Sequence, residues 1–133
     1  APDGSVAFAG EVSESDLPRY YRAGDVFAMP CRNRLGGLEV EGWGNVFIEA
    51  AACGRPVVVG DSGGARESLV PGETGLLVDG SDGAQVSEAV GSLLADPARA
   101  QSMGRAGRER VERAFAWSRP AEQLAGWLRE AVA

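Results

Sequence analysis

A chain of 133 residues with 44 % hydrophobic and 24 % charged residues has the length and composition of one globular domain. All 13 basic residues are arginine; without lysine or histidine there is no Walker lysine, Schiff-base lysine, histidine general base or histidine metal ligand. A formal charge of -6 argues against nonspecific nucleic-acid binding, which needs a basic surface to displace counterions.

Short β runs alternate with longer helical stretches. Val6 to Ala9 reads as a strand ending at Gly10, followed by a helix from about Ser15, a plausible N-cap, to Arg22. Val26 to Met29 is a second strand, stopped by Pro30. A glycine-rich loop, 32–44, leads into a helix from Asn45 to about Cys53, closed by Gly54. Pro56 to Val59 is apolar throughout, as a strand covered on both faces should be. A glycine turn, a short helix near Ala65 to Leu69 and a strand from Gly75 to Val78 follow.

Beyond Val78 the pattern is helical. Val86, Ala89, Val90, Leu93 and Leu94 share one face, and Asp96-Pro97 supplies an N-cap with proline in the first turn. Met103, Gly107, Val111, Ala114 and Phe115 mark the next helix; Trp117, Leu124, Trp127 and Leu128 mark the last, with both tryptophans expected as packing anchors. The alternation predicts an α/β fold, a Rossmann-like parallel sheet with helices on both faces, whose ligands bind at the carboxyl ends of the strands. Cys31 and Cys53 form no Cys-x-x-Cys pair and are expected as buried, reduced thiols. No apolar run reaches the roughly 20 residues of a membrane span, and no signal peptide is evident; the chain reads as cytoplasmic.

The segment Glu41-Gly-Trp-Gly-Asn-Val-Phe-Ile-Glu49 carries the chemistry. It puts one acid in a glycine loop and a second inside the helix that the loop opens. Between them lies a helix N-terminus, whose free N–H groups and positive dipole end favour a phosphate. One acid ahead of a phosphate seat and one behind it suits a diphosphate with hydroxyls on both sides, as in a nucleotide sugar. The bland alternative is a solvated loop acid plus a helix-start acid. The apolar neighbours Val46, Phe47, Ile48, Ala50 and Ala51 weigh against it, because an acid among them needs a partner.

Other motifs point less sharply. Gly60-Asp-Ser62-Gly-Gly64 spells a serine-protease nucleophile, but a chain without histidine cannot build that triad. It reads instead as a turn in which Gly63 and Gly64 permit unusual backbone angles beside a ligand phosphate. Gly42-x-Gly44-x-x-Phe47 lacks the third glycine of the dinucleotide fingerprint. Arg32 and Arg34 are either phosphate or acceptor contacts or loop solubilisers, and Trp43 is either a cover for the ligand or a lid on the core.

Taken in order, Val6-x-Phe8-x-Gly10-x-Val12, Ala23-Gly-Asp25-Val-Phe-x-Met-Pro30, Glu41-Gly-x-Gly-Asn-Val-Phe-x-Glu49-Ala50, Gly54-x-Pro-Val-Val, Gly63-Gly64-x-x-Glu67 and Gly75-Leu-Leu-Val resemble the nucleotide-binding half of retaining GT-B glycosyltransferases, the group 1 family. The stretch Met29-Pro-Cys-Arg32-Asn-Arg34-Leu-Gly-Gly-Leu-Glu-Val-Glu41 is similar to actinobacterial GDP-mannose-dependent phosphatidylinositol mannosyltransferases. The resemblance implies that Glu41 acts at the donor sugar, with the backbone of Gly42, Trp43 and Gly44 beside sugar and diphosphate. It implies further that Asn45 and Val46 N–H groups face the phosphates, that Glu49 holds the ribose, and that Gly10, Glu11 and Val12 lie against the base. Transfer would proceed by a front-face route assisted by the leaving diphosphate, with retention, without protein nucleophile, metal or other cofactor.

The same resemblance implies that this chain is a partial donor domain, residues 1–133. The family's first two strand-helix units, with the basic pair that neutralises the diphosphate, and its amino-terminal acceptor domain are not in it. In the order 3-2-1-4-5-6 the run Ser5–Ala9 would be strand 3, without its neighbours, free to pair elsewhere, for instance in a swapped dimer. The chain is therefore expected to be inactive alone and to reach a membrane-surface acceptor, peripheral to the inner face of the plasma membrane, only through the absent part. Two classes stay open: part of a sugar-transferring enzyme, or a non-catalytic nucleotide-binding or structural module of the same half-fold.

Overall fold

The computed structural model describes residues 5–132. Three strands, β1 (Phe27–Met29), β2 (Val57–Gly60) and β3 (Gly75–Val78), form a parallel sheet in the order β1-β2-β3. Phe27 pairs with Val57 and Val57 with Gly75, so the carboxyl ends at Met29, Gly60 and Val78 lie along one edge. Every residue of β2 is buried. Alternation sends Val57 and Val59 into one core with Phe47, Ala50 and Leu69, and Val58 into a second core with Val78, Leu93 and Met103. Burial of each such side chain contributes about 1.5–3 kcal/mol.

Helices cover both faces. On the first lie α1 (Leu17–Ala23) and α2 (Asn45–Ala52), packed on each other. The α2 helix ends in a Schellman motif: Arg55 N–H donates to the Ala50 carbonyl at 3.0 Å and Gly54 N–H to Ala51 at 2.8 Å, with Gly54 at φ +74 one position beyond the cap. On the second face lies α3 (Gly83–Ala95), capped by Asp82, whose carboxylate accepts from Ala84 N–H at 2.9 Å and Gln85 N–H at 3.1 Å. Asp96 caps α4 (Pro97–Ala114) through Arg99 N–H at 3.0 Å, as the Asp-Pro pair predicts. This long helix passes from α3 to α2, where small residues allow close approach. A Cβ on Gly104 would collide with the Gly54 carbonyl, and one on Gly107 would touch Ala51 at 3.4 Å.

Several expectations are corrected. Val6 to Ala9 is no strand: these residues lie outside the sheet, with Phe8 96 % exposed, because a strand exists only against a partner and no neighbouring strand is present among the described residues. Ser15 is not the N-cap of α1; the cap position is Asp16, and no side chain caps it. The short helix expected near Ala65 to Leu69 is a 3-10 stretch that begins two residues earlier, Gly63–Ser68. Finally, α5 (Ser118–Ala131) is amphipathic but has no buried residue, leaving Trp117 and Trp127 in solvent instead of anchoring a core. Cys31 and Cys53 are free and half-buried rather than buried.

The glycines of the helices give a paired test. Gly104→Ala should destabilise the chain by about 1–3 kcal/mol through overpacking. Gly91→Ala, in α3 with open space at its Cβ position, should stabilise it by about 0.5–1 kcal/mol through helix propensity. Urea denaturation of both variants measures the two signs.

Candidate functional site

The site is assembled where the loops after β1 and β2 meet the start of α2. Gly44 holds the N-cap position of α2 in the left-handed region, φ 74 and ψ 59, and offers no side-chain cap. A Cβ there would run into the Phe47 ring, so the position requires glycine on two counts. The first-turn N–H groups of Asn45 and Val46 are thus left without a side-chain acceptor, at the positive end of the helix.

Glu41 sits half-buried just ahead of this N-terminus, held from behind by the loop after β2. Its N–H donates to Ser62 Oγ at 3.1 Å, and its carbonyl accepts from Gly64 N–H at 3.1 Å. Ser62 Oγ in turn donates to Asn33 Oδ1 at 2.7 Å, and Ser62 is 1 % exposed. The protease-like Gly-Asp-Ser-Gly-Gly run is therefore a buried brace. Gly63, at φ +51, and Gly64 lie so near the Glu41 and Gly42 carbonyls that a Cβ on either would collide with them.

Glu49, exposed and one turn into α2, accepts a hydrogen bond from the Tyr21 hydroxyl at 2.8 Å. The acid is therefore exposed rather than enclosed by its apolar neighbours, and the partner expected for it is supplied from α1. Burial, then the hydrogen bond to Glu49 and its charge, push the Tyr21 phenol well above its ordinary range. Tyr21 packs edge-on against Phe27, 5.4 Å between centroids, and Phe27 against Phe47 at 6.0 Å, which ties the phenol to the core. Val12 and Tyr21 line one cleft of about 310 Å³ beside β1, whose walls include neither Gly10, Glu11 nor Glu49.

Trp43 is 38 % exposed and rests edge-on against Phe115, 6.0 Å between centroids. The Arg110 guanidinium lies over the Phe115 ring, 4.8 Å from its centroid, and donates to the carbonyls of Ser68 at 2.7 Å and Glu67 at 2.8 Å. Arg32 and Arg34 line a second cleft, about 270 Å³, together with Cys31, Glu39 and Glu41. Cys31 Sγ donates to the Gly60 carbonyl at 3.2 Å; burial first, then the Glu41 charge, push its thiol up. A more enclosed cleft of about 280 Å³, with Asp25, Arg55 and Gln101 in its wall, lies at the opposite, amino end of the strands.

Sequence reasoning missed Tyr21, Asn33, Ser62 as a brace, and the Phe115–Arg110 support. Each acts across a long sequence separation, 28 residues for Tyr21 and Glu49, and no local pattern marks it. Only the glycine pair after Ser62 signalled that two backbones meet there.

A three-stranded parallel sheet covered by helices on both faces is the fold of part of a GT-B glycosyltransferase. Residues 3–110 match the family described as glycosyl transferases group 1, and the chain belongs to that family. It is 49 % identical over 124 residues to a GDP-mannose-dependent alpha-(1-6)-phosphatidylinositol monomannoside mannosyltransferase of Mycobacterium tuberculosis, covering 93 % of this chain and 32 % of that protein. A D-inositol 3-phosphate glycosyltransferase of Salinispora tropica is 38 % identical over 128 residues, 96 % of this chain and 25 % of the relative. Among solved structures, sucrose-phosphate synthase of Thermosynechococcus elongatus superposes with a TM-score of 0.84 at 37 % identity, covering 95 % of this chain and 30 % of that one. An Anabaena protein solved with UDP and glucose superposes at 0.82 and, at 23 % identity, shows the fold alone, over 96 % of this chain and 33 % of its own. The chain thus spans about a third or less of the length of these proteins.

The Glu41–Cys31 coupling can be read directly. Cys31 should alkylate more slowly with iodoacetamide at pH 8.5 than a free thiol, and Glu41→Gln should speed it by removing the charge that raises the thiol. Rates measured in a Cys53→Ala background check this; an unchanged rate in Glu41→Gln would count against the coupling.

Proposed function

We propose that this chain is the donor-binding portion of a retaining hexosyltransferase that moves mannose from GDP-mannose to an inositol-phosphate lipid acceptor. The observation that carries the reading is the placement of Glu41 and Glu49 on either side of the uncapped α2 N-terminus, in a chain half identical to a GDP-mannose-dependent enzyme. Residues 1–133 would be a partial donor domain, with the acceptor domain and the first two strand-helix units contributed from outside it.

In this reading the diphosphate sits on the N–H groups of Asn45 and Val46, drawn by the helix dipole and by hydrogen bonds that need no basic side chain. Glu41 accepts from hydroxyls of the donor sugar, with Gly42, Trp43 and Gly44 beside sugar and diphosphate, and the Ser62–Asn33 brace keeps its backbone from shifting. Glu49 accepts from the ribose hydroxyls, oriented by Tyr21. Gly10, Glu11 and Val12 meet the base. The leaving diphosphate deprotonates the incoming hydroxyl on the face it departs from, so retention follows without a protein nucleophile. The reaction is metal-independent, and the chain alone binds donor but does not turn over.

Ligand-observed NMR with GDP-mannose, UDP-glucose and ADP-glucose, on the longest natural polypeptide that carries this sequence, tests the reading. GDP-mannose should bind best. Glu49→Ala should weaken it by about 1.5–3 kcal/mol, roughly 10- to 150-fold, as for a hydrogen bond to a charged group. Tyr21→Phe should cost less, about 0.5–1.5 kcal/mol. Preference for another nucleotide overturns the donor; affinity indifferent to Glu49→Ala overturns the ribose contact.

A further inference from the structure

Between β1 and Glu41 the chain makes a small projecting turn that nothing in the donor site requires. Arg34 and Glu39 close it as an antiparallel bridge, with backbone hydrogen bonds of 2.8 and 3.2 Å and an ion pair at 3.2 Å. Its tip, Leu35-Gly-Gly-Leu38, turns through three consecutive positive φ values, and Leu35, at φ 50, is the one non-glycine residue in that region among the described residues. A leucine there costs roughly 1–2 kcal/mol relative to glycine. The strain brings no packing in return: Leu35 is 74 % exposed and Leu38 89 %, with Val40 beside them at 47 %.

The base of the turn carries two arginines and is pinned to the loop after β2. Asn33 is fixed by Ser62, and Arg34 is occupied by Glu39. Arg32 is exposed and has no ion pair among the described residues. Arg32, Arg34 and Glu41 share the walls of the cleft of about 270 Å³, so this cleft connects the turn to the acid proposed at the donor sugar. The turn thus carries two exposed leucines and, three residues before the first of them, an exposed guanidinium without an ion pair among the described residues, which shares the cleft with Arg34, Glu39 and Glu41. A water-soluble headgroup would use the cation but not the leucines. A lipid in a bilayer uses both, since its phosphodiester lies just above its acyl chains.

We propose that the turn 32–40 is the surface that meets the lipid acceptor: Leu35 and Leu38 enter the acyl boundary of the membrane, and the Arg32 guanidinium meets the phosphodiester of the headgroup. The inference rests on the sugar-transfer reading above and names its acceptor-side contact.

The test uses the longest natural polypeptide carrying this sequence, with a Leu35→Gly/Leu38→Ser double variant, in which glycine also relieves the positive φ, and a separate Arg32→Gln variant. The first readout is sedimentation with vesicles of phosphatidylcholine containing phosphatidylinositol. The double variant should partition roughly tenfold more weakly or worse. Arg32→Gln should lose about fivefold of the preference for phosphatidylinositol over neutral vesicles. The second readout is transfer from GDP-mannose to phosphatidylinositol monomannoside in vesicles and to its deacylated, water-soluble form. The double variant should lose transfer to the first by a similar factor and keep transfer to the second within about twofold, with GDP-mannose affinity unchanged. Unchanged partition overturns the proposal. So does an equal loss on both acceptors, which would mark the turn as a support of the site or a contact for another domain. If the unaltered protein transfers to neither acceptor, the sugar-transfer reading fails, and the partition measurement still decides the membrane contact.

Discussion

At the carboxyl edge of the sheet, glycines bring the chain at and after β2 backbone to backbone against the loop after β1. Gly60 lies against Cys31, Gly63 against Glu41 and Gly64 against Gly42, each so close that a single Cβ would force them apart. The buried Ser62 hydroxyl completes the junction by accepting from Glu41 N–H and donating to Asn33. Everything at the candidate site depends on this seam. It sets where Glu41 leaves the loop, and through Gly42 to Gly44 it sets the direction in which α2 begins. A polar junction of this kind tolerates little movement, because a buried group that loses its partner costs about 1–3 kcal/mol.

The support continues away from the seam through aromatic rings. Phe47, 0 % exposed at the centre of α2, touches Phe27, which touches Tyr21, which holds Glu49. On the other side Trp43 leans on Phe115, and Arg110 clamps that ring to the carbonyls that end the 3-10 stretch. The two acids are therefore carried by different layers: Glu41 by hydrogen-bonded backbone, Glu49 by packed side chains. Burial lowers the readiness of Arg110 to stay charged, yet its two carbonyl contacts and the ring beneath it suit a planar cation.

How much of this could be read from the sequence depended on how local the cause was. The β2 strand was legible because four buried positions in a row leave an apolar run, and α2 because Gly44-Asn45 and Gly54 punctuate it. The cap of α4 is likewise set by the Asp96-Pro97 pair at its start. Val6 to Ala9 was misread because strand propensity is empty without a neighbour, and the neighbour is not a local property. Trp117 and Trp127 were misread for the same reason: the stripe on α5 is real, but a stripe says that a surface is apolar, not what covers it. At the site, the Glu41–Glu49 spacing was visible, whereas Tyr21 and the Phe115–Arg110 clamp arise from tertiary contacts alone.

The Tyr21–Glu49 hydrogen bond has a thermodynamic meaning apart from charge. A free glutamate side chain samples many rotamers, and fixing it costs up to about 1.5–2 kcal/mol of rotational entropy. Here the Tyr21 phenol, packed against the Phe27 ring, already holds the carboxylate in the folded state. Any ligand that hydrogen-bonds Glu49 meets a carboxylate whose search is over. The benefit would appear as a smaller entropic penalty on binding rather than as a new contact, so calorimetry, more than any contact map, is where the tyrosine becomes visible.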